Sequence, residues 1–237
     1  MKLVKTDRLA ASSCGADVKL SVEGAFRMVE DMVTELMGDQ HIDGVTCMRE
    51  YGAMWVFVHN RIEMPQPLAW MDEYTVTSYI SSFSKIRLYI DTVVQKTDGS
   101  ITLKSRLELC AVDLETGKIR RSESVGVGEK TPAEEAMFEI AYSKEKPVRD
   151  DLIDEIRVHS ADIDYCHHTN NIAYVHYFMN QIAVDDLIER PVKEIEVQYA
   201  AQTFEGDKLS VYRCSSEGEA YMIEKDGAKV VSCIITR

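Results

Sequence analysis

The segment SVEGAFRMVEDMVTELMG, residues 21–38, carries the pattern that decides the fold of its half of the chain. Its apolar residues recur at steps of three and four, and they are Phe26, Val29, Met32, Val33 and Leu36. Charged residues occupy the other side, so the pattern predicts an amphipathic α-helix. Ser21 is placed to cap the first turn of this helix, and Gly38 is placed to stop it.

Five segments that follow this helix are rich in β-branched and aromatic residues, which is typical of strands. They are residues 53–64, 72–80, 84–96, 100–114 and 119–128. The sequence KTDGS, residues 96–100, predicts a hairpin turn between two of them. A helix followed by antiparallel strands must bury its apolar side, and a curved sheet that wraps the helix achieves this.

The composition changes between Glu129 and Asp150, where charged residues and prolines replace the strand alternation. This segment predicts a short helix and a linker, with a domain boundary near residue 145. We therefore expect an N-terminal domain of residues 1–145 and a C-terminal domain of residues 146–237.

The second half repeats the order of elements seen in the first. An extended piece, residues 154–164, leads into a predicted helix over residues 171–188. Four predicted strands follow, at residues 192–200, 207–216, 219–225 and 228–236, with KDGA as a further hairpin turn. Residues 62–76 and 197–211 align at a constant offset, which sets Asp72 against Asp207. This register predicts an internal duplication and an α+β fold.

The bulk composition excludes several classes of protein. The net charge of −13 repels phosphate backbones, which disfavours a nucleic-acid partner. The six cysteines are scattered without a CxxC pair, so we expect no structural zinc and no other metal or organic cofactor. The sequence shows neither an apolar run long enough to span a membrane nor a signal-peptide pattern, so a cytoplasmic location is expected.

A dense polar motif stands directly before the second predicted helix. It reads Asp164-Tyr165-Cys166-His167-His168-Thr169-Asn170-Asn171, with Tyr174 after it. This motif resembles the D-x-N-x-H-V-N-N-x-x-Y signature of the acyl-acyl carrier protein (acyl-ACP) thioesterases, and the likeness extends over nearly the whole chain. The resemblance implies tandem hotdog domains, each an antiparallel sheet wrapped around a central helix. It also implies a place in fatty acid biosynthesis.

The resemblance assigns roles to individual positions. Asp164 matches the catalytic aspartate of the signature, and His168 matches its catalytic histidine. Two candidate catalytic positions depart from the pattern: Cys166 stands where the signature has an asparagine, and Gln202 stands where the family has an acidic residue. An amide cannot shuttle protons near neutral pH, although it can orient a water molecule by hydrogen bonding.

Thioester hydrolysis explains why these residue types gather at a helix start. A carboxylate can activate water or attack directly, and Asp164 supplies it. The unsatisfied N–H groups of a helix N-terminus can polarise the carbonyl, which makes this end a candidate oxyanion hole. Asn170 and Asn171 are expected to cap the helix and support that hole, and Tyr174 to line the core or the acyl site.

Several alternatives stay open from the sequence. Cys166 could act as a nucleophile with His168, although their spacing does not favour it. The carrier could be coenzyme A instead of ACP, and the reaction could be a hydration or dehydration. The chain could also be an acyl-binding hotdog protein without activity. A basic set at Lys118, Arg120 and Arg121, or another at Arg149, Arg157 and Arg190, could receive an acidic carrier protein.

The first predicted helix lacks the polar motif at its start, where only Asp17 and Ser21 are available. We therefore expect the N-terminal domain to be catalytically silent and, as the resemblance implies, to hold the acyl chain. Because a fused pair of hotdog domains imitates a hotdog dimer, either a monomer or a homodimer is expected.

Overall fold

The computed structural model describes residues 2–128, 131–216 and 218–237, and the chain divides into two compact units. Unit 1 is Met1–Ala141 and unit 2 is Tyr142–Arg237. The boundary predicted from the sequence lies at residue 145, slightly further along the chain. Of the predicted linker, Glu129 and Lys130 lie outside the described residues.

The described part of unit 1 forms five antiparallel strands and two α-helices. The elements are β1 (Lys2–Arg8), α1 (Val22–Asp39), α2 (Gly44–Tyr51), β2 (Ala53–Glu63), β3 (Glu73–Phe83), β4 (Leu88–Lys96) and β5 (Ile101–Asp113). Their order in the sheet is β1-β3-β4-β5-β2. The turn predicted at KTDGS joins β4 to β5, and Gly99 in it adopts a φ of 84° that favours glycine.

Helix α1 follows the predicted pattern closely. Ser21 is its N-cap, as predicted, and the Ser21 hydroxyl accepts a hydrogen bond of 3.0 Å from the backbone N–H of Gly24. Its apolar side is buried, and it packs against β3 and β4. The predicted stop at Gly38 is wrong: the helix continues to Asp39 and ends where His41 adopts a φ of 56°.

Unit 2 has the same composition of elements within the described residues. They are β6 (Val148–Arg157), α3 (Asn171–Met179), α4 (Val184–Glu189), β7 (Glu194–Tyr199), β8 (Lys208–Ser215), β9 (Glu219–Lys225) and β10 (Ala228–Thr236). Their order in the sheet is β7-β10-β9-β8-β6. The predicted KDGA turn joins β9 to β10, with positive φ at Asp226 and Gly227. The α+β class predicted from the sequence is confirmed.

The single helix predicted over residues 171–188 is wrong, because the chain turns after Met179 and α4 begins only at Val184. Gln181 and Ile182 donate their backbone N–H groups to the carbonyls three residues earlier, which tightens the end of α3 into a turn. This turn buries the side chain of Ile182. The apolar periodicity thus continues through a tight turn that interrupts the helix.

Two further expectations are corrected, and one helix was missed. Residues 119–128, predicted as a strand, form only a bridge from Ile119 to Val112 and a 3-10 turn over Ser122–Val125. Residues 131–147, predicted to include a short helix, contain no helix within the described range. Helix α2 was not predicted, although Asp43 caps its start and Gly52 ends it in the left-handed region.

The predicted duplication is visible in matching side-chain bonds. Asp72 and Asp207, which the offset sets against each other, each accept a 2.8 Å hydrogen bond from the backbone N–H three residues before them. Each also pairs with a lysine of the neighbouring strand at 2.7 Å, Lys96 in unit 1 and Lys225 in unit 2. The two units therefore repeat both an element order and a specific polar anchor. None of the helices in the described residues is long and apolar enough to cross a membrane.

Candidate active site

The motif residues before α3 form a closed loop. An antiparallel bridge joins Ile163 to Thr169, and the backbone N–H of Asp164 donates to the carbonyl of His168 at 3.0 Å. His167 completes the turn with a φ of 66°. The loop therefore brings Asp164 and His168 opposite one another although neither lies on the helix.

Three of the predicted site residues meet at this loop. The Nδ1 atom of His168 lies 3.6 Å from Oδ1 of Asp164, and its Nε2 atom lies 3.3 Å from the side-chain nitrogen of Gln202. The side chains of Asp164 and His168 are 20% and 15% exposed, so both are shielded yet reachable from solvent. The imidazole thus stands between a carboxylate and an amide.

The position of Gln202 constrains the protonation of His168. An amide nitrogen is a donor only, so Nε2 of His168 accepts the hydrogen bond from Gln202. The proton of the neutral ring is then on Nδ1, on the side of the Asp164 carboxylate. In this tautomer the Nδ1–H group faces the Asp164 carboxylate at 3.6 Å, a distance longer than a direct hydrogen bond.

A buried polar cluster behind the loop explains why Gln202 reaches His168. The backbone N–H of Thr169 donates to the carbonyl of Thr203 at 2.8 Å, and their hydroxyls meet at 2.6 Å. The hydroxyl of Tyr174 lies 2.7 Å from the same Thr203 hydroxyl. Tyr174 is only 2% exposed, so its phenol ties α3 to the segment that carries Gln202. Through this bond Tyr174 helps to position Gln202 beside His168.

The start of α3 has the features of an oxyanion hole. Asn170 is its N-cap, and Oδ1 of Asn170 accepts a 2.8 Å hydrogen bond from the backbone N–H of Ile172. The backbone N–H of Ala173 donates to the carbonyl of Asn170 at 3.0 Å. The N–H of Asn171 has no partner within the part of the chain that the structure describes. That donor, at the positive end of the helix, is available to a carbonyl oxygen.

Cys166 contributes its backbone to the site more than its thiol. The Cys166 N–H donates a 2.7 Å hydrogen bond to Oδ1 of Asp164, which fixes the carboxylate in the loop. Burial, followed by the neighbouring negative charge of Asp164, raises the pKa of the Cys166 thiol above its ordinary value. The thiol is therefore protonated at neutral pH, which argues against a cysteine nucleophile.

This electrostatic setting predicts a slow reaction of Cys166 with iodoacetamide at pH 7. We expect Cys166 to be alkylated more slowly than free cysteine, because only the thiolate reacts. In an Asp164→Asn variant the alkylation should become faster, since the repelling charge is gone. Peptide mass spectrometry at timed intervals measures both rates, and equal rates in the two proteins would contradict this account.

The corresponding loop of unit 1 has the same backbone and different side chains. Gly15 donates to the carbonyl of Lys19 at 2.8 Å, as Asp164 donates to His168, and Val18 has a φ of 61° where His167 has 66°. Glycine and lysine thus stand in the places of the carboxylate and the imidazole.

The position of Gln202 is also occupied by a different residue in unit 1. The offset that relates Asp72 to Asp207 sets Pro67 against Gln202. The backbone N–H of Leu20 donates to the carbonyl of Leu68 at 2.7 Å, which repeats the bond from Thr169 to Thr203. Unit 1 therefore retains the scaffold of the site without its polar side chains.

The sequence analysis did not identify the residues that pack against the site and hold its side chains in place. Thr169 and Thr203 form the buried hydroxyl pair, and the ring of Phe204 contacts His168 edge-on with centroids 6.4 Å apart. The position of Thr203 directly after Gln202 was the one available signal. Among the described residues, no group of three or more His, Cys, Asp or Glu side chains is arranged to hold a metal ion.

Comparison with known proteins agrees with this geometry. Residues 145–235 match the family model of the acyl-ACP thioesterase C-terminal domain. The fold resembles that of an acyl-ACP thioesterase from Bacteroides thetaiotaomicron, with a TM-score of 0.89, 16% identity, and coverage of 99% of this chain and 96% of that one. Comparison with curated protein sequences gives no match.

A second structure of similar fold is the 12:0-ACP thioesterase from Umbellularia californica. It superposes with a TM-score of 0.80 at 15% identity and covers 99% of this chain and 96% of that one. At such identities the likeness concerns the fold, and it confirms the tandem hotdog architecture over the whole chain. The match of residues 145–235 to the family model confirms the resemblance to the acyl-ACP thioesterases for that part of the chain.

Proposed function

We propose that this chain, whose residues 145–235 match the acyl-ACP thioesterase C-terminal domain, hydrolyses fatty acyl thioesters of acyl carrier protein. One observation carries the proposal: the carboxylate of Asp164, the imidazole of His168 and the amide of Gln202 line up beside an unpartnered N–H at the start of α3. The products are a free fatty acid and the carrier thiol. The named activities of the two structural relatives, acyl-ACP and 12:0-ACP hydrolysis, support the same substrate class.

In this proposal Asp164 activates the attacking water. Oδ1 of Asp164 is held by the backbone N–H of Cys166 and faces Nδ1 of His168, which leaves Oδ2 for the water molecule. As the water oxygen attacks the thioester carbonyl, its proton moves to the carboxylate. His168 and Gln202 keep the carboxylate in the orientation that this transfer needs.

The start of α3 stabilises the tetrahedral intermediate. The carbonyl oxygen gains negative charge when water attacks, and the N–H of Asn171 at the positive helix end can donate to it. The intermediate collapses when the carbon–sulfur bond breaks, and the proton held by Asp164 passes to the leaving thiolate. The carboxylate is thereby regenerated, and no cofactor takes part.

We propose that the two predicted domains have different roles. The C-terminal domain, residues 146–237, carries out the reaction, and the N-terminal domain, residues 1–145, accommodates the acyl chain. Unit 1 keeps the loop and the helix but has Gly15, Lys19 and Pro67 in the places of the reacting and orienting groups. Substitutions at those three positions are therefore not expected to alter the chemical step.

Two of the candidate arginines for docking an acidic carrier protein already have acidic partners. Arg149 is already paired with Glu224 at 2.8 Å, and Arg190 with Asp186 at 3.2 Å. Lys118 and Arg121 are exposed. We therefore place the docking of the carrier protein at Lys118 and Arg121 and not at Arg149 or Arg190.

This placement predicts different behaviour for two carriers of the same acyl chain. A Lys118→Glu/Arg121→Glu variant should raise KM for hexadecanoyl-ACP by about tenfold and leave KM for hexadecanoyl-CoA nearly unchanged, because only the protein carrier spans that surface. Added salt should weaken the use of ACP by wild type for the same reason. Thiol release, followed with a disulfide reagent, measures all of these rates.

Arg190→Glu is the matched control, since it reverses an exposed charge elsewhere. Faster turnover of the CoA thioester than of the ACP thioester at low salt would reassign the enzyme to acyl-CoA. Consumption of a 3-hydroxyacyl thioester without thiol release would assign a dehydratase. Tight acyl binding with no turnover above background would indicate an acyl-binding protein without enzymatic activity.

A further inference from the structure

One face of the sheet in unit 1 carries four polar side chains that are fully buried. Asn60, Ser78, Thr92 and Ser105 are all 0% exposed. Ser78 pairs with Thr92 across β3 and β4, and Thr92 pairs with Ser105 across β4 and β5. Asn60 of β2 pairs with Leu107, two residues beyond Ser105 on the same face. We call these four residues the polar row.

The polar row lies on the face that α1 covers. Lys5 pairs with Val76 in the sheet, and its side chain forms an ion pair with Glu35 of α1. Ser78 is two residues beyond Val76 on β3, so it points to the same side. Buried apolar side chains surround the polar row in this layer, and they include Ile80, Ile90, Val94, Leu103 and Leu107.

The hydrogen bonds within the polar row are incomplete. The hydroxyls of Ser78 and Thr92 lie 2.6 Å apart, and the hydroxyl of Ser105 donates to Oδ1 of Asn60 at 3.1 Å. The amide nitrogen of Asn60 has no hydrogen-bond partner among the described residues. Whichever way the amide is turned, one of its ends is bonded to Ser105 and the other is not. A buried amide end without a partner is unfavourable, so a group that supplies the bond is needed.

The fold itself does not require polar residues at these places. In unit 2 the position that corresponds to Asn60 is held by Ile195, and the strand pairing sets Cys233 in the place of Ser105. Both are buried. At these two positions the duplicate has apolar side chains, so the pair of Asn60 and Ser105 is particular to unit 1.

We propose that the interior of unit 1 binds an acyl chain that carries a hydroxyl group, and that Asn60 recognises this hydroxyl. A hydroxyl both donates and accepts, so it satisfies the amide end of Asn60 and can join the hydroxyls of Ser105 and Thr92. The apolar side chains of the same layer suit the methylenes on either side. The inference rests on the proposed function, in which unit 1 accommodates the acyl chain of the substrate.

The test compares hexadecanoyl-ACP with a panel of hydroxyhexadecanoyl-ACP isomers that differ in hydroxyl position. Wild type should hydrolyse at least one isomer with a kcat/KM about tenfold above that of hexadecanoyl-ACP, the value of one buried hydrogen bond. Asn60→Leu should abolish this preference, so that the kcat/KM values for the preferred isomer and for hexadecanoyl-ACP become nearly equal. Ser105→Ala is the second variant, used if Asn60→Leu fails to fold by circular dichroism.

Thr102→Val is the matched control, because Thr102 is fully buried at the bulge between β4 and β5, outside the polar row, and its hydroxyl is bonded to the carbonyl of Val94. It should keep the preference for the hydroxylated chain. If hexadecanoyl-ACP is hydrolysed and no isomer is preferred, the row holds an ordered water only, and the inference fails while the proposed function stands. The inference also fails if both Asn60→Leu and Ser105→Ala keep the preference for a hydroxylated isomer, and the proposed function again stands. Absence of thiol release from every substrate overturns the proposed function and this inference with it.

Discussion

Replacement of Asp164 by asparagine is expected to lower kcat for acyl-ACP hydrolysis by about 10²- to 10⁴-fold, the usual contribution of a general base. An amide cannot take a proton from water near neutral pH. The side-chain oxygen of the introduced asparagine can still accept the 2.7 Å hydrogen bond that Asp164 receives from the backbone of Cys166. The loop should therefore keep its shape, and the loss should appear in kcat with little change in KM.

Asp17→Asn is a sharp control for this experiment. Asp17 lies in the corresponding loop of unit 1, where its carboxylate accepts a 3.2 Å hydrogen bond from the backbone of Lys19. Both substitutions thus replace a loop carboxylate that bonds a backbone N–H two residues later, yet only Asp164 faces a histidine. Turnover of the Asp164→Asn variant within a few-fold of wild type would remove Asp164 from the mechanism. An equal loss in the Asp17→Asn variant would indicate a structural effect.

The substitution Arg106→Leu should lower the free energy of unfolding by about 3–5 kcal/mol, the cost of removing one partner of a buried ion pair. Asp91 is 0% exposed, and its two carboxylate oxygens accept hydrogen bonds of 2.8 and 2.6 Å from the guanidinium of Arg106. The same guanidinium also donates to the carbonyl of Ile140 at 2.8 Å. Without Arg106, a buried carboxylate is left without its counter-charge.

Urea unfolding followed by tryptophan fluorescence measures this effect, since both tryptophans, Trp55 and Trp70, lie in unit 1. The double variant Asp91→Leu/Arg106→Leu should be less destabilised than Arg106→Leu alone, because no buried charge remains unpaired. The exposed pair of Arg8 and Glu73 in unit 1 is the reference, and its removal should cost no more than about 1 kcal/mol. Equal losses for the single and the double variant would argue that packing, and not charge, sets the cost.

Features with local causes could be read from the sequence. The apolar periodicity of α1, its Ser21 cap and the glycine turns of both hairpins depend on residues a few positions apart, and all of them were predicted correctly. Elements that tertiary packing decides were predicted less well. The helical pattern that continues after Met179 is interrupted by a tight turn, and the strand-like residues 119–128 form a bridge and a 3-10 turn.

The candidate site divides in the same way. The sequence determined by itself that a carboxylate, an imidazole and a capped helix start stand together, because Asp164 to Asn171 are close along the chain. Only the tertiary structure decided that Gln202 bonds to His168, through the pairing of Thr169 with Thr203, and that Asn60 is buried with an unpartnered amide end. The physical reason is that strand register and loop closure join residues far apart in sequence, and local patterns do not encode those pairings.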